Sequence, residues 1–146
     1  MFELLSEMFS YNRSITGDGV RKTLKKISDE IPITLTSVKS STKVFDWEVP
    51  DEWNVESAKI YDPSGQLIVD FDENNLHLMS YSEPIDSVLS LSELKRHIIT
   101  DKSRPDWIPY STSYYKDDWA FCLPYNFVKN MINGEYKIII CSKKEP

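Results

Sequence analysis

At 146 residues, with 40% hydrophobic and 27% charged side chains, the chain has enough apolar material for a packed core without disulfide or metal staples, which excludes an intrinsically disordered segment. Seventeen basic against 23 acidic residues leave a formal charge of −6, which argues against nucleic acid and membrane surfaces as partners, because both attract a basic face. No apolar run approaches a membrane span, Glu3 and Glu7 stand where a signal peptide would carry basic residues, and Cys122 and Cys141 lack CxxC spacing, so a cytoplasmic protein with free thiols is expected.

Phe2, Leu5, Met8 and Phe9 recur at helical spacing and predict a helix over about the first ten residues. Donors and hydroxyls then gather at Arg13, Ser14 and Thr16, ahead of a second predicted helix whose positive dipole end can hold an anion. The same residues also suit a helix cap with a structural arginine. Val20, Leu24, Ile27 and Ile31 form the apolar stripe of that second helix, with Thr16 or Asp18 as its cap and Pro32 as its stop. Its basic residues, Arg21, Lys22, Lys25 and Lys26, read as a solvated face.

From Ile33 the period changes to two, so strands are predicted at Ile33–Leu35 and Val44–Val49. Segments 55–61 and 66–71 flank Asp62-Pro63-Ser64-Gly65, a type I turn signature, and predict a hairpin with Leu67, Val69 and Phe71 facing its core. A short strand is expected over 75–81 and a short helix over 90–97, capped by Ser90 or Ser92. Pro105 and Pro109 keep 101–118 irregular. A strand over 119–123, a helix from Pro124 to Met131 and a nearly continuous apolar strand from Tyr136 to Cys141 close the chain.

These elements make a mixed α+β chain in three parts. Residues 1–50 are opening helices and strands, 51–123 a β-rich inserted subdomain, and 124–146 a helix and buried strand that begin an incomplete α/β layer.

A zinc site needs three or four suitably spaced ligands. The chain has two histidines, and it carries no HExxH, P-loop, GxSxG or GxGxxG motif, so no catalytic or metal-binding residue is expected. His77, in a strand-like context, suits hydrogen-bonded packing better than metal ligation and joins Arg13, Ser14 and Thr16 among the candidate binding residues. The densest aromatic stretch supplies the others: Trp107, Tyr110, Tyr114, Tyr115 and Trp119. Amphipathic rings on a proline-ordered loop suit contacts with a peptide or a carbohydrate, and equally suit a lid folded onto a small β core.

Five segments resemble a known family: Arg13-Ser14-Ile15-Thr16-Gly17-Asp18-Gly19-Val20-Arg21; Lys43-Val44-Phe45-Asp46-Trp47-Glu48-Val49-Pro50 with Glu52-Trp53-Asn54; Asn75-Leu76-His77; Pro105-Asp106-Trp107-Ile108-Pro109-Tyr110 with Thr112-Ser113-Tyr114-Tyr115; and Gly134-Glu135-Tyr136. In this order they resemble bacterial di-zinc aminopeptidase-like proteins encoded with polysaccharide-biosynthesis genes. The resemblance implies a longer protein, an α/β peptidase domain interrupted early by a β-rich insert and followed by a winged-helix segment. It also implies zinc as cofactor of the full-length family, held by a His-Pro and Asn-Asp-Asn type motif and later residues that lie beyond Pro146. By that reading the chain is an N-terminal part without catalysis of its own. Its final strand, short of a cover, should leave apolar surface exposed and lead to dimerisation, strand exchange or weak stability.

Overall fold

The computed structural model describes residues 2–114 and 116–146. They divide into two compact units, Met1–Asn54 with Lys143–Pro146, and Val55–Ser142. No described helix is long and apolar enough to cross a membrane.

The first unit opens with helix α1 (Phe2–Met8) and helix α2 (Asp18–Glu30), joined by an ion pair of 2.8 Å between Glu7 and Lys26. The stripe of α2 is where its spacing places it, yet the helix has no buried residue, and Leu24 and Ile31 are exposed. Residues 31–39 are exposed throughout and contain no strand. The predicted alternation at Ile33 and Leu35 has no surface within the unit to pack on, and a period of two makes a strand only where one face is covered.

The single strand expected over Val44–Val49 is instead a tight hairpin. Strands β1 (Lys43–Val44) and β2 (Trp47–Glu48) pair antiparallel around the two-residue loop Phe45–Asp46.

The second unit is built on a four-stranded sheet. Strand β3 (Glu52–Tyr61) leads into strand β4 (Leu67–Asp70) through the predicted hairpin, with Ile60 opposite Val69. Asp62 makes the turn: its carboxylate accepts from the backbone nitrogens of Ser64 and Gln66, and Gly65 takes φ 82°. A register shift at Ile60/Tyr61 turns Leu67 outward, while Val69 and Phe71 are buried as expected.

Residues 75–77, expected as strand, form a 3₁₀ turn because the Asn74 side chain accepts from the Leu76 backbone nitrogen. Strand β5 (Ile85–Ser90) was not expected; it runs into helix α3 (Leu91–Leu94), whose cap is the capping box of Ser90 and Glu93. A 3₁₀ turn (Lys95–His97) and strand β6 (Ile98–Ile99) follow, and β6 pairs in parallel with strand β7 (Phe121–Cys122).

Helix α4 (Tyr125–Lys129) precedes the last strand, β8 (Glu135–Glu145), and the sheet order is β4-β3-β8-β5. The final strand is therefore central, as its apolar run suggests, but it pairs antiparallel with β5 over Ile85↔Ile140 to Ser90↔Glu135. Its burial alternates: Tyr136, Ile138, Ile140 and Ser142 are buried, Cys141 is exposed. That is the pattern of a strand with one covered face, not of a parallel strand between helical layers. The helix and strand expected to form a separate part at 124–146 thus lie mostly within the Val55–Ser142 unit.

Candidate functional site

The candidate binding residues fall into two separate groups, one within each unit. In the first, Arg13 donates from Nη1 to the Met8 carbonyl at 2.7 Å and so closes the C-terminal end of α1. Ser14 is buried, and Thr16 Oγ1 accepts from the Trp53 backbone nitrogen at 3.3 Å. Neither predicted side chain caps α2. Its N-cap is Gly17, and the Asp18 nitrogen donates to Asn54 Oδ1 at 2.9 Å.

Sterics explain the two glycines of this segment. A Cβ on Gly17 would lie 2.5 Å from the Trp53 carbonyl oxygen, and one on Gly19 would lie 1.6 Å from that of Asn12. The electrostatics run against an anion here. Arg21 forms a two-pronged contact with the Glu52 carboxylate and a further ion pair with Asp18 at 3.1 Å, so two carboxylates already stand at this helix start. The Arg21 hydrogen bonds hold the Glu52 carboxyl below its ordinary value.

In the second unit the aromatic loop separates into outward and inward rings. Trp107 and Tyr110 are 63% and 66% exposed. The guanidinium of Arg104 sits 5.0 Å from the Trp107 ring centre, and Lys102 sits 5.7 Å from that of Tyr125. The loop is braced where Asn126 Nδ2 donates to Asp106 at 2.8 Å and the Asn126 backbone donates to the Pro105 carbonyl at 3.0 Å.

Tyr114 and Trp119 point inward instead. Tyr114 meets Tyr81 edge to face at 5.1 Å, and Trp119 stacks on His97 with centroids 4.0 Å apart. Tyr115, also a candidate, lies outside the described residues. The loop is tied down by Ser80, which donates to the Ser111 carbonyl and accepts from the Ser113 nitrogen.

His77 Nδ1 faces the Cys122 carbonyl at 3.1 Å, and since a carbonyl only accepts, that nitrogen carries a proton. His97 Nδ1 faces the Trp119 carbonyl in the same way. Both histidines therefore spend one ring nitrogen on backbone. Among the described residues no group of three or more His, Cys, Asp or Glu is placed to hold a metal ion.

Sequence reasoning missed Lys102 and Arg104, and it placed His97 at the end of a short helix without its stacking on Trp119. Arg104 had a signal in its spacing of three before Trp107, since the Trp107 nitrogen donates to the Arg104 carbonyl at 3.0 Å and the turn superposes the two side chains.

Residues 52–143 match the family described as "Domain of unknown function (DUF2172)". A protein of Clostridium acetobutylicum named "Putative polysaccharide biosynthesis protein with aminopeptidase-like domain" is 46% identical over 145 residues, which is 99% of this chain and 33% of that protein. A crystal structure from Clostridium acetobutylicum, titled as that of a "putative peptidase", superposes with a TM-score of 0.94 at 46% identity, over 99% of this chain and 34% of that one. The chain spans about a third of the length of the curated relative it matches.

Proposed function

The chain belongs to the family described as Domain of unknown function (DUF2172), and from that footing we propose that it is the N-terminal portion of a longer, zinc-dependent aminopeptidase-like hydrolase. The observation that carries this reading is the unit Met1–Asn54 with Lys143–Pro146. Among its described residues up to Asn54 only Met8, Ser14, Gly17 and Trp53 are buried, while Phe2 and Phe9 are 83% and 74% exposed and Leu5, Ile15, Leu35 and Val38 are exposed as well. With so small a core a unit of this size is only marginally stable by itself. Exposed apolar side chains in such number suit a surface that another body covers, and the relative's further two thirds are of the right scale to supply one.

Among the described residues no group of three or more His, Cys, Asp or Glu comes together around either histidine, so these residues do not fit a zinc site. Zinc binding and hydrolysis are accordingly assigned to the remainder of the longer protein, and no catalytic step to the residues described above. Cytoplasmic residence belongs to the same proposal, supported by the two free thiols Cys122 and Cys141.

The test is the reading frame that follows the codon for Pro146. The expected result is a continuation that encodes the His-Pro and Asn-Asp-Asn segment, with the long protein binding zinc and cleaving aminoacyl anilides and the 146-residue chain doing neither. A stop codon there, or hydrolysis by the short chain alone, overturns the proposal.

A second reading is favoured by the outward rings of Trp107 and Tyr110 beside Arg104: a binding module that presents this loop to a peptide or carbohydrate. Titration of glycans and peptides against tryptophan fluorescence separates the two, because only the second predicts a saturable response from the short chain.

A further inference from the structure

Phe45 occupies the first position of the two-residue loop between Val44 and Trp47 with φ 56°, and its side chain is wholly exposed. Asp46 does not share the positive φ. Positive φ at the first loop position alone is what a type II′ turn requires, and that position belongs to glycine by preference. A bulky aromatic residue there is a conformational outlier, and strain of this sort persists only when something else over-determines it.

Within the first unit the ring gains nothing in return, because it contacts solvent all round. The frame beneath it is nevertheless firm. Lys43 pairs with Glu48, the Ser41 nitrogen donates to the Val49 carbonyl at 2.7 Å, and the Val49 nitrogen donates to the Thr42 carbonyl at 3.0 Å. Val44 and Trp47, directly opposite one another, are also exposed. The result is a rigid fingertip of three apolar side chains on a strained turn, the form of an anchor that fills a pocket on a partner.

We propose that Phe45 is an insertion anchor: its ring enters an apolar pocket on the remaining two thirds of the longer protein and fixes that body against the β1–β2 hairpin. This rests on the reading of the chain as a portion of a longer protein, and on the 33% share of the relative that it covers. Burial of a phenyl ring and its two apolar neighbours in that pocket is the return that offsets the strained backbone.

The experiment compares thermal unfolding of Phe45→Gly and Phe45→Ala in the 146-residue chain and in the long protein. Glycine relieves the strained φ, so in the short chain Phe45→Gly leaves the melting temperature unchanged or raises it by about 2 °C. In the long protein both variants lower it by about 3 °C or more. A fall with Phe45→Gly in the short chain means that the ring packs within it and overturns the proposal. Unchanged melting of both variants in the long protein overturns it too, and leaves the portion reading standing if the wild-type long protein melts above the short chain. If the long wild-type protein melts no higher and binds as much of a hydrophobic dye as the short chain, the portion reading itself fails and the anchor falls with it.

Discussion

The carbonyl oxygen of Asn12 occupies the place where a side chain on Gly19 would begin, 1.6 Å from an ideal Cβ. Backbone cannot yield to a methyl group at that range without displacing the link between α1 and α2. Gly19→Ala is expected to destabilise the protein by about 3 kcal/mol or more. A chemical-denaturation midpoint within error of the wild type would show that this close approach does not exist in solution.

Arg21 and Glu52 predict an acid dependence. Hydrogen bonds from Arg21 depress the folded Glu52 carboxyl below its ordinary value of 4.5, so the pair's stabilisation is fully present above about that pH and is lost as pH falls through the lower folded value. Because Arg21 is more than half exposed, solvent screening limits the effect to about 0.5 kcal/mol. Arg21→Gln should reduce stability at pH 7 by about that amount, and its difference from the wild type should shrink as pH falls through the depressed Glu52 value. An offset that does not shrink on acidification would point to packing by the arginine stem instead.

Ser90 caps α3 and closes a reciprocal contact with Glu93, whose carboxyl is held below its ordinary range by the Ser90 hydroxyl. Ser90→Ala removes the acceptor for the Glu93 nitrogen and is expected to cost about 1 kcal/mol. Ser90→Asp, which restores an acceptor, should recover most of that loss in the same urea titration.

The two thiols should react in two steps. Cys122 is fully buried, and burial pushes its thiol up to about 11, whereas Cys141 is exposed. At pH 8 an aromatic disulfide reagent is expected to modify one thiol per native chain and two per unfolded chain, and Cys141→Ser should abolish the native reaction. Rapid modification of both thiols in native protein would contradict the buried position of β7.

Local features carried into the fold where the signal was itself local. The turn at Asp62-Pro63-Ser64-Gly65 and the cap of the short helix each rest on hydrogen bonds within four residues; the turn is present as read, and of the two serines offered as cap, Ser90 and Ser92, the structure uses Ser90. β8 was recognisable as a central strand, but its partner was not, because Ile85-Asp86-Ser87-Val88-Leu89 is diluted by polar residues and strand partnership is a long-range choice. The aromatic loop shows the same limit at side-chain scale. Trp107 and Trp119 look alike in sequence, and only the irregular backbone between them decides that one faces water and the other His97. The stripe of α2 was legible as apolar, while what covers it depends on a surface that the first unit does not contain.

The buried turn at Tyr81, with φ 66°, has a consequence for the order in which the chain folds. The Tyr81 carbonyl accepts from Ser113 Oγ at 3.0 Å, Ser82 Oγ accepts from the Ala120 nitrogen at 3.3 Å, and the Ser82 carbonyl accepts from Ser142 Oγ at 2.8 Å. Those partners lie 32, 38 and 60 residues further along the chain. The hairpin of β3 and β4 can close as soon as its four-residue turn is made, whereas this turn waits on three long loop closures, the last supplied by the final strand. A ribosome-bound chain that has not yet released Ser142 therefore lacks the last of these three restraints on the turn, and the second unit completes its core only when synthesis has passed β8.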